Sequence, residues 1–202
     1  MTRHFPDFAQ PDPTGRYTYA DCLTWEIEQY ELIGGRLLPP MPGRSPAHQQ
    51  CLGSLLGQVQ AFLRQQLRPR PQGYCLPLDV RLPPWSGAAA TDIVDVVQPD
   101  LLVVADPARL DERGAIGAPD WLVEVVSPGF ADRDLRLKFD LYQRHGAREY
   151  WLVFPEARAV VAYVLDSRGQ YQLAAEYATP GPMPVATLPG LAVEWADIFD
   201  DE

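Results

Sequence analysis

Lysine is almost absent. Of 17 cationic side chains only Lys138 is a lysine, and all the others are arginine. Positive charge is scarce altogether, with a formal net charge of −10. That balance excludes a broad basic surface for non-specific nucleic-acid binding. It leaves room for a small positive groove, and a bound metal ion would add charge that a sequence count omits. Cysteine is also sparse: Cys22, Cys51 and Cys75 form no CxxC pair and no zinc spacing. Cys51 falls on an apolar helical face and Cys75 in a strand-like run, which predicts buried free thiols. No apolar run approaches membrane-spanning length and no charged-then-apolar leader follows Met1, so a cytoplasmic protein without a membrane partner is expected. A glycine-rich phosphate-cradling loop is missing too, which sets aside hydrolases of small phosphate esters.

What is present fits one domain. The chain has 202 residues, 47% of them apolar, enough for a real core over 17–202 behind a loose tail at 1–16. Thr18 caps a predicted helix over Tyr19–Glu28, with Asp21 placed to return a bond to the cap. Glu31–Ile33 and Arg36–Leu38 read as a hairpin around Gly34-Gly35, closed by a bend at Pro39–Pro42. Ser45-Pro46 starts a long helix to about Leu67, with Leu52, Leu55, Val59 and Leu63 on its apolar face. No acid occurs between Pro46 and Leu78, while Arg64, Arg68 and Arg70 cluster at the helix end. They form either a phosphate-facing patch or a solvated helix terminus. Strands are predicted over Tyr74–Leu82, Val96–Ala105 and Trp121–Val126, with a polar loop at Pro107–Pro119 long enough to lie over a site. A helix from about Asp132 to His145, a strand at Glu149–Phe154 and a hairpin over 159–177 follow. Pro180–Pro189 reads as irregular, and Leu191–Phe199 as a short amphipathic lid on the sheet.

The chemistry concentrates between Val97 and Trp151. Asp100 stands at the mouth of one apolar run and Glu124 sits inside another. Side chains alternate along a strand, so two such carboxylates on neighbouring strands can share a hard cation. On the following helix Leu135, Phe139 and Tyr142 form the inward stripe, and Lys138 lies at its edge. A compact ammonium there suits an oxyanion or an attacking water in a way that a guanidinium does not. Each residue also has a plainer reading. Asp100 could simply start a strand, Glu124 could pair with a buried arginine, and the Lys138 stem could snorkel. Glu31 and Asp79 are either extra metal-site acids or the polar sides of half-buried strands. His48 reads as a cap or polar contact, and His4 and His145 as incidental.

With those residues in view, the chain resembles the Uma-two family of restriction endonucleases, a branch of the PD-(D/E)XK nuclease superfamily. The blocks that carry the resemblance are Tyr30–Gly35, Ser45–Gln49, Pro77–Val80, Val97–Asp100, Val123–Pro128, Asp134 with Lys138 and Tyr142, and Glu149–Val153. The resemblance implies an α/β fold with a restriction-endonuclease-like αβββαβ core around a mixed central sheet, carrying an N-terminal helix and hairpin and a C-terminal hairpin as additions. It implies a DNA endonuclease that hydrolyses phosphodiester bonds with Mg²⁺ or Mn²⁺ through a metal-activated water. Asp100, Glu124 and the carbonyl of Val125 would then be metal ligands, with Glu31 a further candidate. Lys138 would stand in for the lysine expected at Val126, and Tyr142 would assist the phosphate. DNA is the expected partner, and a homo-oligomer, a dimer first, the expected assembly. The same core without catalysis, serving as an oligomeric interaction or regulatory module, is the alternative.

Overall fold

The computed structural model describes residues 11–12, 14–25, 29–38, 45–67, 70–127 and 133–199, with the backbone alone for 133–135. In chain order come α1 (Tyr19–Cys22), β1 (Glu31–Ile33), β2 (Arg36–Leu38), α2 (Pro46–Leu63), β3 (Gln72–Cys75), β4 (Val80–Arg81), β5 (Val96–Val97) and β6 (Leu101–Val104). After a 3-10 turn at Pro107–Arg109 follow β7 (Leu110–Asp111), β8 (Gly114–Ile116) and β9 (Trp121–Val125). A wide π-type turn over Arg133–Lys138 leads into α3 (Phe139–His145). The chain ends with β10 (Glu149–Phe154), β11 (Ala159–Leu165), β12 (Tyr171–Tyr177), β13 (Pro182–Pro184), β14 (Ala192–Glu194) and α4 (Trp195–Phe199).

The order α2, β3, β6, β9, α3, β10 is the expected αβββαβ core. Its sheet runs β12-β11-β10-β9-β6-β3, with β9 and β10 parallel and the other pairs antiparallel. A parallel pair needs a crossover, and the segment containing α3 supplies it. The apolar face of α2, with Cys51, Leu55, Val59 and Leu63, packs on the sheet face bearing Val103, Trp121, Val123 and Trp151. Trp121 and Trp151 meet edge to face with centroids 5.0 Å apart. Leu141 and Tyr142 of α3 pack on the opposite face against Leu102, Leu122 and Leu152. Because side chains alternate, Glu124 belongs to this α3 face.

A second six-stranded sheet, β2-β1-β5-β4-β8-β7, is the main departure from the sequence reading. The two predicted strands Tyr74–Leu82 and Val96–Ala105 each break in the middle, giving one half to each sheet. Pro77 and Pro99 stand at the breaks, where a residue without an N–H cannot extend a ladder. The Pro107–Pro119 segment is therefore no cover over a site. It forms β7 and β8 at the edge of the second sheet, held by Arg81, whose guanidinium donates to both Asp111 oxygens at 2.6 and 3.0 Å. Gly114 lies at φ +116°, where an added Cβ would sit 2.2 Å from the Asp79 carbonyl oxygen.

Smaller corrections follow the same logic. The first helix stops at Cys22, while Asp21 does bond back to the Thr18 amide at 2.7 Å. α2 ends at Leu63 rather than Leu67. The stretch read as irregular contains β13, which pairs with β14, and α4 docks beside α2 through a Cys51 Sγ to Ile198 O contact of 3.7 Å. Cys22 and Cys51 are buried free thiols, but Cys75 is only half-buried. Residues 1–10 and 13 of the tail expected over 1–16, the Pro39–Pro42 bend, Arg68 and the side chain of Leu135 lie outside the described residues. No helix among the described residues is long and apolar enough to cross a membrane.

Candidate active site

Register builds the site. β6 pairs with β9 so that Leu101 faces Val123, which sets Asp100, the residue before β6, at the end of β9 that carries Glu124 and Val125. Asp100 is fully buried, and its Oδ2 accepts from the Val125 amide at 2.8 Å. That bond fixes the carboxylate beside β9.

α3 then delivers the amine. The wide turn before it rotates Lys138 onto the buried side with Leu141 and Tyr142, so the lysine is inward rather than at the edge of the stripe. Lys138 Nζ donates to Glu124 Oε1 at 2.8 Å and lies 2.8 Å from Glu31 Oε1. Tyr142 donates its hydroxyl to the same Glu124 oxygen at 2.8 Å. Burial, then the negative charges of Glu124 and Glu31, push the Tyr142 phenol well above its ordinary range, so it stays a donor. Glu31 comes from β1 of the second sheet, and its Oε1 also accepts the Gln98 amide at 3.3 Å. The site is thus assembled at the seam between the two sheets.

Two further residues, His48 and Gln98, border these groups. His48, in the first turn of α2, is buried, with Nε2 at 3.3 Å from Asp100 Oδ2. The contact has ion-pair distance but not hydrogen-bond geometry, and both ring nitrogens of His48 are without a hydrogen bond among the described residues. Its spacing with Cys51, Leu52 and Leu55 already set it on the apolar face of the helix, which was the signal available. Gln98 gave no local sign; besides its amide, its Nε2 donates to Asp79 Oδ1 at 2.9 Å. Asp79 also accepts from the Tyr30 hydroxyl at 3.1 Å, so it braces Gln98 rather than joining Lys138. His145 is not incidental, since its Nε2 lies 3.1 Å from Asp95 Oδ2; His4 lies outside the described residues. Glu149 is a buried carboxylate of a different kind: it accepts from Trp151 Nε1 and from Ala186 and Thr187, tying the C-terminal segment to the sheet.

Two buried carboxylates, Glu31 and Glu124, thus share one ammonium, and a third, Asp100, is held by the Val125 amide beside His48. Hard oxygen donors in excess of positive charge, next to an imidazole lacking hydrogen bonds, have the chemistry of a divalent-cation site. In the arrangement present, no group of three or more His, Cys, Asp or Glu among the described residues has metal-holding geometry. Lys138 instead bridges two of the acids directly.

No curated protein matches the chain. A solved structure, a putative nuclease belonging to DUF820 from Anabaena variabilis ATCC 29413, shares the fold with a TM-score of 0.68 at 20% identity, covering 90% of this chain and 97% of that one. The family described as "Putative restriction endonuclease" matches residues 19–196, and on that span the chain belongs to the Uma2 (Uma-two) family.

Proposed function

We propose that the chain is a DNA endonuclease that hydrolyses phosphodiester bonds with the help of a divalent cation, Mg²⁺ or Mn²⁺. The observation that supports the reading is that the solitary Lys138 bonds to the buried Glu124, while the buried Asp100 carboxylate accepts the amide of the next residue, Val125. Asp100 and Glu124 would hold the cation, with the Val125 carbonyl and Glu31 as further oxygen donors. A bound cation supplies positive charge where the transition state gathers negative charge on phosphate oxygens.

The chain's own groups do the rest. The Val125 amide orients Asp100, and the Tyr142 hydroxyl orients Glu124. Glu31 and Glu124 hold Lys138 Nζ in place as a cation, a compact donor able to face a nucleophile or a phosphate oxygen. Hydrophobic walls on both faces of the sheet keep bulk water from these charges, which strengthens each interaction. Supercoiled plasmid incubated with Mg²⁺ or Mn²⁺ tests the proposal. We expect nicking or linearisation that a chelator stops and that Asp100→Ala, Glu124→Ala and Lys138→Ala each abolish. Cleavage surviving all three substitutions would sink it.

A second reading is favoured by one observation: Asp100, Glu124 and Lys138 are each 0% exposed. A closed cluster whose lysine is already engaged by two of its own carboxylates suits a nuclease-fold protein that serves as an oligomeric interaction module without catalysis. Calorimetric titration with Mn²⁺ separates the two. Heat that disappears in Glu124→Gln supports the enzyme, whereas no binding to the wild type supports the module.

A further inference from the structure

The C-terminal end of α2 and the start of β3 enclose a hollow of about 550 Å³ whose lining includes Gln60, Arg64, Arg70, Gln72, Tyr74 and Pro107. Its frame is anchored by Gln60, whose Nε2 donates to the Gly73 carbonyl at 2.7 Å. Arg64 and Arg70 make no ion pair with a carboxylate among the described residues, unlike Arg81, Arg109, Arg144, Arg148 and Arg168. Arg70 Nη1 reaches the Arg64 carbonyl at 3.5 Å, a long contact that occupies one of five guanidinium donors. Helix capping therefore leaves most of the donors in this hollow unspent. The surrounding sequence from Pro46 to Leu78 contains no acid in a chain of net charge −10, so the local field differs in sign from the whole. The acids Glu194 and Asp197 belong to elements packed against Gln58 and Ser54, before the helix reaches the hollow.

We propose that this hollow is a remote anchor for the sugar–phosphate backbone of a nucleic acid, separate from the site of cleavage. The proposal rests on the nuclease reading, since it takes the substrate to be cut at the Asp100–Glu124–Lys138 cluster. The two guanidiniums match phosphate oxygens, with Gln60 held back by its bond to Gly73, so the anchor recognises the charged backbone rather than the base sequence. Its position sets a length. At a rise of about 1.5 Å per residue, Arg64 lies about 24 Å along α2 from His48, which touches the cluster. At about 3.4 Å per nucleotide, the anchored phosphate is about seven nucleotides from the cluster. A substrate shorter than that cannot occupy both places.

Fluorescence anisotropy with blunt duplexes of about 5 to about 20 base pairs tests this, with Ca²⁺ present so that the carboxylate cluster carries a cation and can receive the duplex. For the wild type we expect affinity to rise about tenfold or more as the duplex passes the span of both places. Arg64→Glu/Arg70→Glu should abolish that rise, and its salt slope on the longest duplex should fall by about 1.8, the value for two lost phosphate contacts. Arg64→Gln/Arg70→Gln, which keeps the shape of the hollow, should lose most of the rise as well, with an unchanged thermal midpoint to show that it is folded. A full length-dependent rise and salt slope in the Glu variant overturns the anchor, and if the wild type still cuts plasmid, the nuclease reading stands alone. A wild type that neither binds any duplex nor cleaves overturns both.

Discussion

Lys138 shows how much one side chain can be asked to balance. It is wholly buried, and both of its carboxylate partners stand at 2.8 Å. Replacing a buried ion pair by matched apolar groups can be neutral, but removing one partner strands the other. Lys138→Met would leave Glu31 and Glu124 facing each other without their counter-charge. We expect a loss of about 3–5 kcal/mol in urea unfolding at neutral pH, in addition to any loss of cleavage. A loss below 1 kcal/mol would mean that the cluster is more hydrated than its burial implies. Asp95 makes a second case at this scale. Burial pushes its carboxyl up, but the hydrogen bond from His145, the Gly34 amide at 2.6 Å and the charges of His145 and Arg144 outweigh burial and hold it below the usual carboxylate range. A carboxylate lowered on folding contributes stability in full above its unfolded value, about 3.9, and loses it as pH falls through the folded one. Asp95→Asn should therefore be less stable than the wild type at pH 7, with the gap narrowing on titration below about pH 4. A gap that stays constant down to pH 2 would remove Asp95 from the account of acid sensitivity.

Among the elements, two short joints determine where the site can form. α2 begins at a fixed place because Ser45 accepts the His48 amide at 3.2 Å and Pro46 occupies the first turn, and this sets His48 against Asp100. β8 reaches β4 only because Gly114 lets the backbone pass the Asp79 carbonyl. Alanine at 114 would bring a Cβ into that oxygen at a φ that L-residues avoid. We expect Gly114→Ala to cost about 2–4 kcal/mol and to weaken the Asp79 brace on Gln98, and through it the seat of Glu31. Amide exchange would register this as faster exchange at Gln98 relative to the central strands. Unchanged protection there would mean that the brace does not transmit the strain.

At the scale of the molecule, the two sheets share one core. Val80, Val97 and Ala115 of the second sheet pack in the same cluster as Leu102, Leu122 and Leu141 of the central layer. With that cluster common to both, neither sheet can open without exposing the other, so unfolding should be a single transition. Far-UV circular dichroism and tryptophan fluorescence, the latter reporting on Trp121, Trp151 and Trp195 of the central core among others, should give coincident urea midpoints. Separate midpoints would show that the second sheet is an independent unit. The site lies where this shared packing is continuous, which explains how its charges remain out of water.

How much of this was legible in the sequence follows from range of interaction. The order of helices and strands was readable, because periodicity, the Ser45-Pro46 start and the glycines of the hairpins are local. So was the candidacy of Glu124 and Lys138, because a carboxylate inside Trp-Leu-Val-Glu-Val-Val and a single lysine stand out by composition alone, while Asp100, in one of four Pro-Asp dipeptides, was legible only together with them. The division of two apparent strands between two sheets was not legible, since Pro77 and Pro99 mark a break without saying where each half goes. Nor could local pattern select Glu31 over an arginine-paired arrangement, bring His48 to Asp100 or insert Gln98 behind Glu31. Those pairings depend on register between segments far apart in the chain, which only the packed sheets decide.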